Sequence, residues 1–436
     1  LAAVLSARRL HGRLKPVFWT EVERTTWRVR SKGAEVEVAV DEGRVVADGQ
    51  SRTFAEVELE LKDGSPSDLF TLARALSPAG GLKLGVLTKA ERGYALAAKD
   101  APSSFRAEAI SLQPEMSTAD AFRTIVQACI RHFRLNEPLL LATRTAEPLH
   151  QCRVALRRLR TALSVFRDVV SDDEFENLRD RLKSISQKLG EARDLDILLG
   201  SLQDPHDEQA ESEPDKPGLI ERARADRERA YDRLMTALDG QRYRTLMFEL
   251  LAWSETGRWL QTDAAAAQAR REQPIESFAA EVLERRRRKI RKRARHLDAL
   301  NPPDRHRVRI EAKKLRYASE FFSSLAADKK TQRRQQAFTK TLEDLQEHLG
   351  ELNDLATRDK IVTDAAHPDG QPDDAGAAAG RRDPGQRRAH KRAMAGATRA
   401  YQSFADAKRF WTAHGTDRTP GGRRKRTRRA TRSSKS

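Results

Sequence analysis

The sequence predicts a mainly α-helical protein in which two related helical bundles follow a small, partial antiparallel β domain. Three features support this fold class. A basic helical segment occurs twice, apolar residues recur at helical spacing from Ser117 to Trp411, and two-residue alternation is confined to residues 1–98.

The charge and composition of the chain indicate which binding partners and which cellular compartment to expect. Of the 436 residues, 33% are charged and 6% are aromatic, and the net charge is +18. Such an excess attracts polyanions, so nucleic acid, an anionic membrane surface and inorganic phosphate chains are candidate partners. Two cysteines argue against a disulfide framework and indicate a reducing compartment. No apolar run reaches the length of a membrane helix and no signal-peptide pattern opens the chain, which predicts a cytoplasmic protein without a membrane partner.

The first 98 residues show the alternation typical of short antiparallel strands. Asp41, Glu42 and Gly43 form a turn signal, which predicts a break between two strands at that point. A helix is expected at Ser67–Leu76. So few strands leave sheet edges unpaired, which predicts that further strands precede Leu1 in a longer form of the protein. The strands are predicted at Thr25–Arg30, Ala34–Val40, Arg44–Ala47 and Ala55–Leu61.

The rest of the chain reads as two runs of helices. Ser117 opens a sequence that resembles a capping box, which predicts the start of a helix there. Loops are expected at the acidic stretch 203–217 and at the Gly/Ala/Asp/Pro-rich stretch 364–383. The predicted domains are a β domain at 1–98, a linker at 99–116, a helical domain at 117–411 with repeats at about 117–260 and 274–411, and a disordered basic tail at 412–436. The helices are predicted at about 117–132, 148–169, 172–202, 219–238, 242–260, 275–295, from 303, 328–363 and 386–411.

The segments His150–Phe166 and His306–Phe322 share one pattern. Each has a histidine, basic residues three, seven, eight and ten positions later, and a leucine nine positions later. At about 100° per residue, the histidine and the bases at offsets three, seven and ten fall within about 80° of the helix circumference. The first basic row comprises His150, Arg153, Arg157 and Arg160, and the second basic row comprises His306, Arg309, Lys313 and Arg316.

The repetition of this row predicts an anion-binding site. A charged face that only meets solvent has no reason to keep the same residue types at the same offsets twice. Two such helices brought together would repel each other unless an anion with charge at many points lay between them. Several charge-assisted hydrogen bonds, each contributing about 1.5–3 kcal/mol, would give tight binding without a catalytic group. His150 and His306 are expected to titrate near neutrality and to add affinity as the pH falls.

Gly190 and Gly350 stand at matched positions after the two basic helices, each inside the sequence L-G-x-x-x-D-L. Glycine costs about 1 kcal/mol relative to alanine inside a helix, so its recurrence predicts close approach of another backbone, most naturally that of the basic helix. Asp194 and Asp354, four residues further on, are expected to pair with the bases of that helix.

These residues resemble the CHAD family, the conserved histidine α-helical domain, over about residues 118–411. The pattern H-x-x-R-[VI]-x-x-[RK]-[RK]-L-R, followed by L-G-x-x-x-D-L, occurs in both repeats. The resemblance implies two four-helix bundles related by a pseudo-twofold axis around a basic pore that both rows line and that binds inorganic polyphosphate without a cofactor. It implies weaker roles for Arg158, Lys314 and Arg193, and Asn353 stands in the second repeat where Arg193 stands in the first.

A second group of candidate residues, Glu56, Glu58 and Glu60, lies on one predicted strand. Alternation puts the three carboxylates on one face, which fits either a divalent-metal site or the exposed face of an amphipathic sheet. Together with L-x-x-V-F-x-T at 14–20, R-T-T-W at 24–27 and T-K-A-E-R-G-Y at 88–94, this strand resembles a CYTH domain, the fold of the triphosphate tunnel metalloenzymes.

The CYTH resemblance implies that Glu58 and Glu60 lie near a metal and that Arg24 and Lys89 contact triphosphate. The family signature E-x-E-x-K is absent before Glu21, so roughly half of the tunnel barrel is expected to be missing from the chain. Metal-assisted hydrolysis is therefore not expected of the chain as given, whereas a longer form would be an inorganic triphosphatase that uses Mg²⁺ or Mn²⁺.

Polyphosphate binding is the favoured function, and metal-dependent triphosphatase activity is the first alternative. The second alternative is weak, non-specific nucleic-acid binding through the tail, which contains Arg423–Arg429. The basic stretch 285–295 has too few aromatic residues for base stacking, and Val282, Ile290 and Leu297 predict a packed helix with a charged outer face. The sequence leaves open the oligomeric state and an association with polyphosphate granules.

Overall fold

The computed structural model describes residues 15–31, 33–76, 81–98, 103–203, 216–366 and 384–411, the side chains of 354, 356–366 and 384–386 excepted. The motif residue Leu14, most of the two predicted loops and the predicted tail at 412–436 therefore lie outside the described residues. The described chain is mainly helical and begins with an open, three-stranded antiparallel sheet, in agreement with the predicted fold class. Two compact units divide the chain, one over Leu1–Phe278 with Tyr317–Leu325 and one over Ala279–Arg316 with Ala326–Ser436.

The sheet is a meander of three long strands in the order β1-β2-β3. They are β1 (Trp19–Ser31), β2 (Ala34–Ala47) and β3 (Gln50–Asp63). Asp48 and Gly49 join β2 to β3 with φ values of 46° and 77°. Two successive residues with positive φ are typical of a tight hairpin turn, for which Asp-Gly is a favoured sequence.

The predicted turn at Asp41–Gly43 is wrong, because β2 runs straight through it. Gly43 serves a different purpose: a Cβ atom there would lie 2.3 Å from the backbone oxygen of Glu21 on β1. Glycine is thus required for close packing of the two strand backbones and not for a reversal of the chain. The continuous strand keeps Asp41 in register with Arg24 on β1 and Glu56 on β3.

The predicted helices of the first unit occur in the predicted order, and Lys89–Ala97 and Ala265–Glu272 are two further helices that the sequence did not predict. The predicted helix 242–260 ends at Thr256, and two other predicted helices differ more in their bounds. The first helix of the bundle does not stop near His132 but passes through Pro138 to Thr143, where burial of Leu135 and Leu140 favours continuation. The predicted helix 148–169 is divided in two at Phe166. Ser117 caps its helix as predicted by accepting a hydrogen bond from the backbone of Asp120. The helices are α1 (Pro66–Leu76), α2 (Lys89–Ala97), α3 (Thr118–Thr143), α4 (Ala146–Val165), α5 (Arg167–Val170), α6 (Phe175–Gln203), α7 (Lys216–Asp239), α8 (Gln241–Thr256) and α9 (Ala265–Glu272).

Aromatic side chains form the centre of the first unit. Phe122 is fully buried and makes edge-on contacts with Trp253 and Trp259 at centroid distances of 5.8 and 5.5 Å. The β domain is attached to this bundle by Phe70 of α1, whose ring lies 5.8 Å from that of Phe248 on α8. The sheet and the first bundle therefore pack as parts of one compact unit.

The second unit repeats the order of a basic helix followed by a long helix. Phe338 and Phe404 are fully buried and their rings lie 5.7 Å apart, so they contribute to the core of this unit. The basic stretch 285–295 is a packed helix as predicted, since Val282 and Ile290 are fully buried. Across the part of the chain that the structure describes, no helix is both long and apolar enough to cross a bilayer. The helices are α10 (Ile275–Arg293), α11 (Pro302–Phe321), α12 (Lys329–Ala366) and α13 (Pro384–Asp406).

Candidate functional site

The first basic row lies on α4 and forms no ion pair with the residues that the structure describes. Arg153 and Arg157 are partly buried, and Arg160 is exposed at the end of the row. Among the described residues, no carboxylate lies within ion-pair distance of these three arginines. Arg157 instead covers an aromatic ring, with its guanidinium carbon 5.9 Å from the ring centroid of Tyr317. Half-buried arginines without a counter-ion are costly, and an anion would relieve that cost.

The electrostatics of the first row show the same shortage of negative charge. Burial lowers the pKa of His150 below its usual value, and the charges of Arg193, Arg157 and Arg153 lower it further. Burial also lowers the pKa of Arg153, an effect that Asp194 opposes. Arg193, on α6, therefore lies close enough to act on the first row, and Asp194 acts on it without forming an ion pair. The first row therefore disfavours its own positive charge.

The second basic row, on α11, contacts side-chain and backbone amide groups of α12. Arg309 donates from Nε to the backbone oxygen of Gln346 at 3.4 Å. Arg316 donates from Nε to the side-chain oxygen of Gln346, also at 3.4 Å. His306 Nδ1 lies 3.1 Å from Oδ1 of Asn353, the residue that replaces the base of the first repeat. These amide contacts help to orient the side chains of the second row, and Glu343 forms an ion pair with Arg316 at 3.9 Å.

The two glycines at matched positions, Gly190 and Gly350, lie directly against arginines of the basic rows. A Cβ atom on Gly190 of α6 would lie 3.1 Å from Nη1 of Arg153, and a Cβ atom on Gly350 of α12 would lie 3.1 Å from Nη2 of Arg309. Each glycine thus lies against the basic helix, but it meets an arginine side chain and not the predicted backbone. Any larger side chain would have to push the guanidinium away from the helix beneath it. The side chain of Asp354, which the sequence pairs with the second row, lies outside the described residues.

Two of the weaker candidates lie off the rows. Arg158 is only 4% exposed, and its guanidinium carbon lies 5.6 Å from the ring centroid of Phe321. Lys314 forms an ion pair with Glu311 at 3.2 Å. Both follow a row residue by one position, which rotates them by about 100° around the helix. The side chain of Arg158 is therefore buried, and that of Lys314 is paired with a nearby carboxylate.

Three carboxylates converge on the charged face of the sheet. Asp41 of β2 and Glu56 and Glu58 of β3, called here the acidic cluster, each offer an oxygen within 4.8 Å of the others. Glu58 belongs to the predicted metal pair, whereas Glu60 extends away from the cluster to Lys62, 2.9 Å distant. The sequence did not predict Asp41 as a site residue, because its segment resembles a turn. Reading residues 39–43 as a strand, with Asp41 opposite Arg24, would have identified it.

Lys89 and Arg24 make most of the ion pairs of the acidic cluster, and Arg92 adds one to Glu56 at 3.0 Å. Arg24 donates from Nε and Nη2 to the two oxygens of Asp41, both at 2.6 Å, and from Nη2 to Glu58 at 2.6 Å. Lys89, at the start of α2, places its Nζ 2.7 Å from Asp41, 2.5 Å from Glu56 and 2.8 Å from Glu58. The two residues predicted to bind triphosphate are therefore brought together, in contact with the acidic cluster.

The protonation states in this cluster are strongly held. The hydrogen bonds from Arg24, and then those from Lys89, lower the pKa of Asp41 to about 2 although burial opposes this. Lys89 and Arg24 also lower the pKa of Glu58. Burial works against the charge of Lys89, yet its contacts with Asp41, Glu56 and Glu58 hold its pKa above the usual value. Asp41 and Glu58 are thus held in their anionic forms by the basic residues that contact them.

The donor set fits a hard divalent cation. Carboxylate oxygens are the preferred ligands of Mg²⁺ and Mn²⁺, and three lie within reach of a single ion. Lys89 and Arg24 stand beside these donors, where they would meet the oxygens of a bound phosphate chain.

Comparison with known proteins shows the family to which the chain belongs. A family model for the CHAD domain matches residues 124–363, more than half of the chain. The chain belongs to the CHAD family. A second model, for the CYTH domain, matches residues 1–94, so the CHAD domain here follows CYTH sequence as the motifs predicted.

Three similar proteins each match part of the chain. An inorganic triphosphatase of Haemophilus influenzae is 36% identical over 86 residues, which is 20% of this chain and 24% of that protein. The chain thus spans about a quarter of the length of the curated relative it matches. The crystal structure of the CHAD domain from the plant Ricinus communis is similar with a TM-score of 0.49 and 28% identity, covering 70% of this chain and 93% of that one. PptA from Streptomyces chartreusis is similar with a TM-score of 0.41 and 18% identity, covering 67% of this chain and 99% of that one.

Proposed function

We propose that this CHAD protein binds inorganic polyphosphate through its two basic rows. The observation that supports this most directly is the set of three arginines on α4 without a carboxylate partner among the described residues. From His150 to Arg160 the row extends about 15 Å along the helix, so it matches a chain of phosphates better than a single anion. Several charge-assisted hydrogen bonds along one polymer would then act together.

The aromatic residues beside the first row favour an inorganic polymer over nucleic acid. Tyr317 and Phe321 lie against Arg157 and Arg158, and they are only 2% and 0% exposed. A base could not stack on either ring, and stacking provides much of the affinity for single strands. The row therefore offers charge without a surface for bases.

Binding of long-chain polyphosphate in EDTA tests this proposal. Arg153→Glu combined with Arg309→Glu should reduce affinity by at least a hundredfold, because two contacts of about 1.5–3 kcal/mol each are lost and repulsion is added. Arg333→Glu combined with Arg334→Glu is the matched control, since it reverses the same charge on α12 outside both rows. Equal losses in the two double variants would show a general charge effect and contradict the proposal.

A second candidate function, metal-dependent hydrolysis of triphosphate, is supported by the acidic cluster. The three oxygen donors, the adjacent Arg24 and Lys89, and the CYTH match occur together. The similar protein from Haemophilus influenzae is itself described as an inorganic triphosphatase. Asp41, Glu56 and Glu58 would hold Mg²⁺ or Mn²⁺, which when bound would neutralise charge on the phosphate oxygens. Arg24 and Lys89 would position the triphosphate.

Release of phosphate from triphosphate tests the second candidate. Activity should require Mg²⁺ or Mn²⁺ and should disappear in Glu58→Gln, which removes one anionic donor while keeping its size. Lys62→Met, on the same face of the sheet but outside the acidic cluster, should leave activity unchanged. Hydrolysis that persists in EDTA or in Glu58→Gln would contradict this candidate.

A further inference from the structure

The ammonium group of Lys89 occupies the centre of the acidic cluster. Its Nζ contacts one oxygen from each of the three carboxylates, at 2.7, 2.5 and 2.8 Å. The other cations approach from the edges: Arg24 lies against Asp41 and Glu58, and Arg92 lies 3.0 Å from Glu56 only. Among the described basic residues, Lys89 is thus the one that touches every member of the cluster.

A metal ion and this ammonium group compete for the same oxygens. A magnesium ion bonds to carboxylate oxygen at about 2.0–2.1 Å. If it used the oxygen of Glu56 that Lys89 contacts at 2.5 Å, it would lie within about 4.6 Å of Nζ. A divalent and a monovalent cation so close together repel strongly, and they would share the same three negative charges.

The lysine side chain can leave while its helix stays in place. Thr88 and Glu91 close a capping box that fixes the start of α2. Glu91 also forms an ion pair with Arg131 of α3, which ties this helix to the first bundle. Lys89 is the first residue of the fixed helix, and its four-carbon stem is the flexible part.

We propose that Lys89 is an internal counter-ion that keeps metal out of the acidic cluster until triphosphate draws the lysine away. This inference rests on the second candidate function. The phosphate oxygens offer Lys89 replacement anions, and its departure frees three carboxylate oxygens for Mg²⁺ or Mn²⁺. Metal and triphosphate therefore bind with positive coupling, and each favours the other by removing the same obstacle.

Titration of the full chain with Mn²⁺ alone, by calorimetry or electron paramagnetic resonance, tests the counter-ion role. Lys89→Met keeps the apolar stem and removes the charge. It should bind Mn²⁺ about tenfold or more tightly than the unmodified protein, because a positive charge in contact with three carboxylates is gone. Lys62→Met, the control on the same sheet face, should leave Mn²⁺ affinity unchanged.

A second titration, with triphosphate alone in EDTA, separates this role from a merely structural one. It is done in the Arg153→Glu, Arg309→Glu background so that the basic rows do not contribute. Lys89→Met should weaken triphosphate binding there while it strengthens Mn²⁺ binding. Loss of both affinities would show that Lys89 only maintains the fold of the site, and would overturn the proposal.

The remaining outcomes distinguish this inference from the function on which it rests. If the unmodified protein binds Mn²⁺ as tightly as Lys89→Met, the counter-ion role is wrong, although metal-dependent hydrolysis can still stand. If neither protein binds Mn²⁺, with or without triphosphate, both the inference and the second candidate function fail.

Discussion

Replacing Arg153 by glutamine should weaken polyphosphate binding without destabilising the protein. The guanidinium is partly buried above Gly190 and has no carboxylate partner among the described residues. Removing one charge-assisted contact of about 1.5–3 kcal/mol raises the dissociation constant by roughly tenfold to hundredfold. Substitution of an arginine held in a salt bridge would usually lower the stability of the protein as well as its affinity. A loss of affinity without a loss of stability is therefore informative.

The stability of this variant follows from the sign of the pKa shift. Burial lowers the pKa of Arg153, which means that folding disfavours its charge. Glutamine is neutral, so the cost of burying a charge disappears and no ion pair is broken. The melting temperature should therefore stay unchanged or rise slightly, as measured by thermal denaturation without phosphate.

Fluorescence anisotropy with end-labelled long-chain polyphosphate in EDTA measures the binding effect. The matched control is Arg333→Gln, in a cavity of about 750 Å³ in the second unit that is rimmed by other bases. It removes the same charge outside the rows and should have a much smaller effect. An affinity of Arg153→Gln within twofold of the unmodified protein, or a melting temperature several degrees lower, would refute the reasoning.

Two pH-dependent predictions follow from the shifted groups. Asp41→Asn should lower the melting temperature at neutral pH, because the lowered pKa of about 2 reflects stabilisation by Arg24. That stabilisation is present above the ordinary carboxyl pKa and disappears as the pH falls towards 2, so melting curves of the two proteins should converge in acid. For His150, whose pKa burial lowers in the free protein, a bound polyanion restores the charge. Polyphosphate affinity, titrated from about pH 8 to about pH 5.5, should therefore rise, and the rise should be smaller in His150→Gln; an identical rise would exclude this role.

Local sequence alone predicted the elements that carry the rows. Helical periodicity is a short-range property, so the placement of four bases on one face of α4 needed only the spacing of residues. The recurrence of Gly190 and Gly350 similarly predicted close packing, because a costly residue repeated at one offset has to serve a contact. The first inference concerns neighbours along one helix, whereas the glycines mark a contact between two helices that only their repetition made visible in the sequence.

Contacts between distant segments could be decided only by the tertiary structure. Helical spacing puts Arg158 about 100° away from the first row, but its packing against Phe321 on another helix could not be read from that spacing. The pairing of Lys314 with Glu311, three residues earlier on the same helix, is by contrast a local contact.

The acidic cluster shows the same division between sequence and structure. Alternation put Glu56 and Glu58 on one face of a strand, and this could be predicted because successive strand residues point to opposite faces. That Asp41 belongs to the cluster depended on the register between strands, which the wrongly predicted turn at Asp41–Gly43 would have interrupted. The position of Lys89, 31 residues from Glu58, depended on how α2 packs against the sheet. The sequence determined which charges each element presents, whereas the packing of those elements decided which charges meet.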